Sequence, residues 1–500
     1  MAAAGFVAAA ADFYRLDISA WFDEAYSYGM TTQSWSSFFG RWIWGSESNM
    51  VLYYLLLRAW LWLLAAFNLA PVEILLRLPS ALFGIAAAVL VYLLGKRLFG
   101  RLGGLAASLV YSVNFLQMIL AQTARAYTME LFFLTLSWYA LFAALETGRW
   151  QWWAAYVAAS VAAVYSILFA GLVLVAQVVA VALLLLLPGE LRERVRSSLP
   201  PLLGSLGIAF LLVVPIGLDA VVHGGPVWVP PAHLGDLLAF LVFLGGGSKL
   251  YERLVLAAAG LAAVLALAPW VRPLARVSGA DRSSLAIVAA LAAWFAVPIM
   301  LSFALTRPGL NLHLFFPRYL VVVVPGFCLL VGQAVANLRP RALGFLLATL
   351  LLAVSWSPLT YYYQVSEVQS FRTPIRWMQA NFRRGDGLIC DPAVQCAIPV
   401  LYYLTAYPGP ARLAADSPGY FSWETNGTVD LSEKNIDRYA GGHERIFFVY
   451  GPLGSSIAAD EEEASLRDYL VRLGFVQVGR SEADGSAAPT VVTLFARSRH

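Results

Sequence analysis

The chain has 500 residues, of which 60% are hydrophobic and only 13% are charged, and its mean hydropathy is +0.69. Soluble globular proteins carry about a quarter charged residues, so the composition excludes an ordinary soluble protein and indicates a polytopic membrane protein. The net charge of +4 is small and is spread over many loops, so it gives no indication of nucleic-acid binding.

The N-terminal run, residues 1–14, is apolar but contains Asp12. It is shorter than the roughly 20 residues that a membrane span needs. It also lacks the basic segment that opens a signal peptide. We interpret it as the stub of a first transmembrane helix, which predicts a truncated or misassigned start.

Ten further apolar runs are interpreted as membrane spans, so that about eleven transmembrane helices are predicted with the N-terminal stub. They are residues 80–95, 103–120, 127–145, 152–169, 170–187, 199–218, 253–270, 284–304, 319–337 and 342–361.

The run from Leu52 to Ala66 is ambiguous, because it is short and contains Arg58. With the N-terminus inside, five basic loops face the cytoplasm if this run does not cross the membrane, and all five face outward if it does. The positive-inside rule therefore predicts an amphipathic helix that lies in the membrane interface. The basic loops contain Lys96, Arg97 and Arg101; Arg149; Arg192, Arg194 and Arg196; Arg272, Arg276 and Arg282; and Arg339 and Arg341.

The same topology places the first loop, residues 17–79, on the outer face of the plasma membrane. Its many tryptophans and tyrosines suit a segment at headgroup depth. From residue 364 the composition becomes polar, with strand-like alternation near residues 387–391, 445–450, 475–478 and 491–495 and helix-like stretches near residues 373–382 and 462–473. We predict a transmembrane domain, residues 1–363, followed by an extracytoplasmic α/β domain, residues 364–500.

Two adjacent carboxylates, Asp23 and Glu24, follow the aromatic pair Trp21-Phe22 just outside the first apolar run. A carboxylate at such a wet boundary can accept a proton from a sugar hydroxyl and return it to bulk water. The alternative interpretation is an acidic interfacial loop without a chemical role.

Three arginines, Arg77, Arg125 and Arg318, occupy outer ends of apolar runs. Each alone could be an anchor whose charge reaches the headgroups. Together with Asp23 they favour a site for a lipid phosphate, because guanidinium groups bind phosphate through paired hydrogen bonds. We expect Asp23 to face a cavity that at least one of these arginines also lines.

Four short motifs follow one another along the chain. They are Asp-Glu-Ala-Tyr at 23–26, Leu-Tyr-Tyr-Leu-Leu-Leu-Arg at 52–58, Arg-Leu-Pro-Ser-Ala-Leu-Phe-Gly at 77–84 and Leu-Gly-Lys-Arg-Leu-Phe-Gly-Arg at 94–101. In this order they resemble the large GT-C glycosyltransferases, nearest to the branch of the protein O-mannosyltransferases and the aminoarabinose transferase of lipid A. The resemblance is strong over residues 16–145, continues through Pro317-Arg318-Tyr319-Leu320 to about residue 337, and includes residues 371–391 of the C-terminal part.

The resemblance implies a GT-C fold and an inverting sugar transfer on the outer face, from a polyprenyl-phosphate donor to a glycan, lipid or protein acceptor. It implies that Asp23 accepts the acceptor proton and that Glu24 shapes or supports the pocket. Fixed positive charge would stabilise the departing lipid phosphate, with Arg77 and Arg318 as candidates. The candidate substrate-binding residues are Asn49, Tyr53, Arg77, Arg125, Tyr127, Arg318 and Tyr319.

The chain departs from the family pattern at two places. Asn49-Met50-Val51 stands where many relatives have His-Pro-Pro, and Thr123-Ala124-Arg125 stands where relatives have Glu-Ala-Arg. A second acidic group and a phosphate or metal contact are therefore missing. We predict no metal site and leave a divalent metal open as a cofactor.

Two other classes of protein remain as alternatives. A transporter or lipid flippase would use Asp23 as a proton or substrate site, but transporters place charges near the bilayer midplane and often show inverted repeats. A non-catalytic relative would bind lipid-linked sugar without transferring it, and the missing acidic group near Thr123 keeps this alternative open. Cys390 and Cys396 are six residues apart, and we expect either a disulfide or two buried thiols.

Overall fold

The fold is known from a computed structural model of the chain. It describes residues 2–45, 47–223, 229–246, 248–269, 271, 278–279, 283–307, 313–365, 368–453, 457–483 and 489–498. The basic loop with Arg272, Arg276 and Arg282 lies outside these residues, so its orientation stays a prediction.

Helices dominate the described chain. In chain order they are α1 (Ala2–Phe13), α2 (Phe22–Thr31), α3 (Val51–Ala66), α4 (Glu73–Ser112), α5 (Phe115–Ala121), α6 (Tyr127–Thr147), α7 (Trp150–Ser166), α8 (Ala170–Leu186), α9 (Glu190–Ser197), α10 (Leu199–His223), α11 (Leu234–Leu244), α12 (Lys249–Ala266), α13 (Ser284–Leu305), α14 (Val324–Asn337), α15 (Arg341–Val365), α16 (Arg372–Asn381), α17 (Ala393–Ala406), α18 (Glu433–Gly441) and α19 (Ile457–Arg472). A π-helical segment, Ser37–Ile43, precedes α3, and a 3₁₀ turn, Tyr319–Val323, leads into α14.

The chain divides into two compact units. The helical unit consists of Met1–Tyr14, Arg41–Tyr53 and Leu78–Tyr362, and the mixed unit consists of Arg15–Gly40, Tyr54–Arg77 and Tyr363–His500. The boundary after Tyr362 lies next to the predicted one at residue 363. Much of the first loop, however, clusters with the C-terminal residues.

Among the described residues, six helices are long and apolar enough to cross a membrane, and α8 with α9, which meet at a bend of 117°, would make a seventh. The polytopic helical architecture is therefore confirmed, whereas the number of eleven spans is not reached. Helices α7 and α8 have 17 residues each, or about 25 Å at the rise of an α-helix, against a hydrocarbon core of about 30 Å. With 16 residues, α3 is shorter still, and its interfacial position stays a prediction.

The sequence predicted that residues 103–120 form one membrane span, but these residues do not form a single helix. Its first part continues α4, which bends at Phe99 and Gly100, where Gly100 has a φ of 88° that suits glycine. Helix α4 then ends at Ser112, and Asn114 begins α5 by accepting a hydrogen bond from the Gln117 amide at 3.2 Å. An asparagine cap of this kind starts a new helix inside an apolar run.

The C-terminal residues form the predicted α/β arrangement. The strands are β1 (Gly387–Asp391), β2 (Phe421–Ser422), β3 (Gly427–Thr428), β4 (Arg445–Tyr450), β5 (Phe475–Ala483) and β6 (Thr490–Arg497). Four of them form a sheet in the order β1-β4-β6-β5, in which β1 is parallel to β4 and the other neighbours are antiparallel. The remaining two, β2 and β3, form a short hairpin.

One face of this sheet carries the core of the C-terminal part. Ile389, Phe448 and Phe495 of the strands pack with Ile436 of α18 and Leu470 of α19. The sheet thereby packs against α18 and α19 through this core. Cys390 and Cys396 are both buried free thiols, and the Cys396 thiol donates a hydrogen bond to the Val449 carbonyl at 3.4 Å.

We expect the substitution Phe448→Ala to lower the free energy of unfolding of this part by about 3–5 kcal/mol, because the removed ring leaves a cavity in a packed core. Phe448 is 1% exposed, whereas Val476 of β5 is 46% exposed. The matched control, Val476→Ala, should change stability by about 0.5 kcal/mol or less. Pulse proteolysis of the full chain in a urea series measures both variants, and equal midpoints would contradict the assigned core.

Candidate active site around Asp23

Helix α2 begins at Phe22 and carries the two carboxylates in its first turn. Trp21 has an extended backbone before the first turn, and its amide donates to Glu24 Oε2 at 3.3 Å. Glu24 therefore caps the helix from its third position. Asp23 lies in the same first turn, where the exposed amides of a helix favour negative charge.

A buried ion pair between Glu24 and Arg77 stands at the centre of the site. Arg77 Nε donates to Glu24 Oε1 and Nη2 donates to Oε2, each at 2.6 Å. Both side chains are almost completely buried, with 0% and 2% exposure. Such a two-point contact is the strongest form of an arginine–carboxylate pair.

Arg77 also binds the backbone that leads into α2. Its Nη1 donates to the carbonyl oxygens of Leu16 at 2.8 Å and Ile18 at 2.6 Å, and its Nη2 donates to the carbonyl oxygen of Ser19 at 3.1 Å. A guanidinium has five N–H donors, and these contacts together with the two to Glu24 engage five. Arg77 therefore holds the entry to α2 in place.

This geometry bears on the roles predicted for neighbouring residues. Glu24 is directed at Arg77 and supports the fold of the loop, and its role in a pocket beside Asp23 stays a prediction. Asp23 itself is half-buried, and the donors of Arg77 point to Glu24 and to backbone carbonyls. To bind a lipid phosphate, Arg77 would have to give up one of these bonds, which weighs against that role.

Several other candidates meet around Ser80 in the helical unit. The hydroxyls of Tyr53 and Ser80 are 3.0 Å apart, and Ser80 Oγ also lies 3.0 Å from the Arg125 carbonyl oxygen, to which it can donate. The Thr128 hydroxyl donates to the Ser80 carbonyl at 2.6 Å. Tyr127, which precedes Thr128 in the first turn of α6, is buried. Ser80 thus contacts the Tyr53 side chain and the Arg125 backbone. The substrate-binding roles of Tyr53, Arg125 and Tyr127 stay predictions.

Asn49 and Tyr319 contact the link between α7 and α8, and Arg318 lies beside Tyr319. Asn49 Oδ1 accepts a hydrogen bond from the Leu168 amide at 3.1 Å. The Tyr319 ring packs on the Phe169 ring with centroids 4.8 Å apart. The Arg318 guanidinium lies over the ring of Tyr319, 5.8 Å from its centroid. A cation over an aromatic face is a stabilising contact that also fixes the side chain.

Within the described ranges, no group of three or more His, Cys, Asp or Glu side chains could hold a metal ion. A divalent metal stays an open prediction.

Sequence reasoning missed Gln369 and Tyr403. Gln369 Oε1 accepts from the Phe22 amide at 3.0 Å, and the Tyr403 hydroxyl oxygen accepts from the Ala20 amide at 2.7 Å. These pairs are separated by 347 and 383 residues. No local pattern in the sequence could have connected them.

Comparison with known proteins agrees with the motifs. The family model for dolichyl-phosphate-mannose-protein mannosyltransferase matches residues 56–218. No curated protein sequence matches the chain significantly.

Among solved structures, the chain is similar to ArnT from Cupriavidus metallidurans in the apo state, with a TM-score of 0.54 and 14% identity over 99% of this chain and 96% of that one. The same enzyme bound to undecaprenyl phosphate gives a TM-score of 0.53 and 13% identity over the same shares. The arabinofuranosyltransferase AftD from Mycobacteria gives a TM-score of 0.52 and 14% identity over 100% of this chain and 40% of AftD.

At these identities the structural likeness shows the fold. The family model and the structural neighbours are glycosyltransferases. The chain therefore has the GT-C fold and resembles the GT-C glycosyltransferases, as its ordered motifs predict.

Proposed function

We propose that this protein is an integral membrane glycosyltransferase that moves a sugar from a polyprenyl-phosphate donor to a glycan, lipid or protein acceptor. The observation that carries the proposal is the position of Asp23 in the first turn of α2, next to a Glu24 that is already neutralised by Arg77. The ArnT neighbour that binds undecaprenyl phosphate supports the donor class.

In the proposed reaction the acceptor hydroxyl attacks the anomeric carbon while the bond from that carbon to the phosphate oxygen breaks. Asp23 takes the hydroxyl proton, and the electron pair of the broken bond leaves with the polyprenyl phosphate. Attack from the opposite side inverts the anomeric configuration. A general base for this step needs to lie about 2.6–3.2 Å from the hydroxyl oxygen when the substrates are bound.

The phosphate that departs carries the developing negative charge, and fixed cations stabilise it in the transition state. We assign this role to Arg318 and Arg125 rather than to Arg77, whose donors are engaged by Glu24 and three carbonyls. The donor and the acceptor are proposed to be bound with the help of Asn49, Tyr53, Tyr127 and Tyr319.

The proposed setting is the plasma membrane. We infer about eleven spans, an interfacial α3, and an outer face that carries Asp23 and residues 364–500. The positive-inside distribution of the basic loops supports this orientation, and the six or seven apolar helices support a multi-pass chain.

Replacement of Asp23 by Asn keeps the side-chain shape and removes the proton acceptor. We expect sugar transfer to fall by roughly 10²–10⁴-fold with unchanged folding. The assay uses the full chain in nanodiscs with a panel of polyprenyl-phosphate sugars labelled in the sugar, and follows the label from lipid to an envelope extract of the host. Asp17→Asn, in the exposed part of the same loop, is the matched control and should keep its activity.

Three outcomes would contradict this assignment. Full transfer by the Asp23→Asn variant would exclude Asp23 as the base. Binding of labelled donor without transfer by the unmodified chain would favour a non-catalytic relative. Flux of a labelled solute across proteoliposomes would favour a transporter.

The Glu24–Arg77 pair should be required for both stability and activity. Glu24→Gln leaves the buried guanidinium without its counter-charge, and we expect a loss of about 3–5 kcal/mol in the free energy of unfolding. The control is Glu146→Gln, which breaks the partly exposed pair with Arg97 and should cost about 1 kcal/mol or less. Thermal unfolding of both variants in nanodiscs measures the difference, and equal losses would refute a structural role for the buried pair.

The orientation can be tested with single cysteines. Arg194→Cys should not react with an impermeant thiol reagent that is added outside intact cells, because Arg194 lies in a predicted cytoplasmic loop. Asn426→Cys, at the exposed tip of the β2–β3 hairpin, should react under the same conditions. The opposite labelling pattern would overturn the topology.

A further inference from the structure

Residues of the C-terminal part hold the short segment that immediately precedes Asp23. The Tyr403 hydroxyl accepts from the Ala20 amide at 2.7 Å and lies 2.9 Å from Ser19 Oγ. Gln369 Oε1 accepts from the Phe22 amide at 3.0 Å. The Phe22 amide is one of the first amides of α2, which have no partner inside the helix, so Gln369 acts as a cap from a distant part of the chain.

Gln369 and Tyr403 are themselves fixed by further contacts. Gln369 is completely buried, and its Nε2 donates to the carbonyl oxygen of Pro452 at 2.7 Å, just beyond the end of β4. Tyr403 is also completely buried and donates its hydroxyl proton to Glu73 Oε1 at 2.9 Å. Both acceptors are therefore held at defined positions, Gln369 by the residue after β4 and Tyr403 by Glu73 of α4.

Glu73 determines the direction of the Tyr403 hydroxyl. It is buried, it also accepts from the Tyr407 hydroxyl at 2.5 Å, and Arg372 Nη1 lies 3.6 Å from its Oε1. Burial, together with the charge of Glu73, raises the pKa of Tyr403 well above its usual value. The phenol therefore stays protonated, donates to Glu73 and keeps its lone pairs for the Ala20 amide.

The C-terminal part also contacts α2 beyond Asp23. A Cβ atom on Gly29 would lie 2.0 Å from the Trp423 ring, so Trp423 packs directly on the glycine backbone. The ring of Tyr26, one turn after Asp23, lies 5.3 Å from the Trp423 ring. Helix α2 is thus held by the C-terminal part on both sides of Asp23.

From these contacts we infer that Tyr403 and Gln369 are positioning residues for the Asp23 base, so that the C-terminal part supports catalysis by fixing the backbone before Asp23. Arg77 binds carbonyl oxygens of residues 16, 18 and 19, while Tyr403 and Gln369 bind the amides of residues 20 and 22. The backbone before Asp23 is therefore held by hydrogen bonds to its carbonyl oxygens and to its amides. A displacement of a reacting group by about 1 Å can cost roughly 10²-fold in rate.

This inference rests on the proposed function, and its test separates positioning from simple stability. Tyr403→Phe keeps the ring and removes the hydroxyl, and Gln369→Met keeps the volume and removes the acceptor. We expect each to lower kcat by roughly 10–10²-fold while the KM for a labelled undecaprenyl-phosphate sugar stays within about twofold. Tyr402→Phe is the matched control, because Tyr402 is equally buried and its hydroxyl donates to the Pro71 carbonyl instead.

Hydrogen exchange measured by mass spectrometry provides a readout that needs no substrate. In Tyr403→Phe the peptide that covers residues 19–23 should exchange about tenfold faster or more than in Tyr402→Phe, with unchanged exchange in β1 and β4. Equal kcat for Tyr403→Phe and Tyr402→Phe, a rise in KM at constant kcat, or unchanged exchange of residues 19–23 would overturn the inference. An unmodified chain without transfer activity would contradict the proposed function, and the exchange result alone would then decide whether Tyr403 holds the segment.

Discussion

The buried pair of Glu24 and Arg77 is the interaction on which the site depends. A guanidinium that is removed from water needs a counter-charge and an acceptor for each donor, because an uncompensated buried charge costs several kcal/mol. Here the acceptors are one carboxylate and three carbonyl oxygens of residues 16–19. The hydrogen bonds that Arg77 requires therefore fix the path of the chain into α2, and with it the position of Asp23.

The first turn of α4 connects this pair with the C-terminal part. Glu73 and Arg77 are four residues apart and therefore lie on the same face of the helix. Arg77 contacts Glu24, and Glu73 contacts Tyr403 and Tyr407. Two residues one helical turn apart thus contact the acidic start of α2 and the C-terminal part. This explains why much of the first loop clusters with the C-terminal residues.

Sequence reasoning was more accurate for features that a whole segment encodes than for features that a single residue decides. Strands β1 and β4 lie at the predicted residues 387–391 and 445–450, although both are buried almost throughout and not on one face alone. A short apolar run of this kind is a local signal that the sequence carries by itself. The bend at Gly100 lies between the predicted spans 80–95 and 103–120, whereas the break at Asn114 was not foreseen, because a single capping residue can end one helix and begin another inside an apolar run. The length of each span depends on such ends, which is why about eleven spans were expected and six or seven helices are long enough.

By itself, the sequence determined the membrane character, the α/β nature of the C-terminal part, the GT-C resemblance and the acidic pair at the start of α2. These features depend on composition, periodicity and short motifs, all of which are local. Only the tertiary structure decided which partner each polar group takes: Arg77 pairs with Glu24, and the amides before Asp23 are bound by Gln369 and Tyr403. A buried polar group bonds to whatever acceptor the fold brings within about 3 Å. The spacing of residues along the chain does not reveal which acceptor that is.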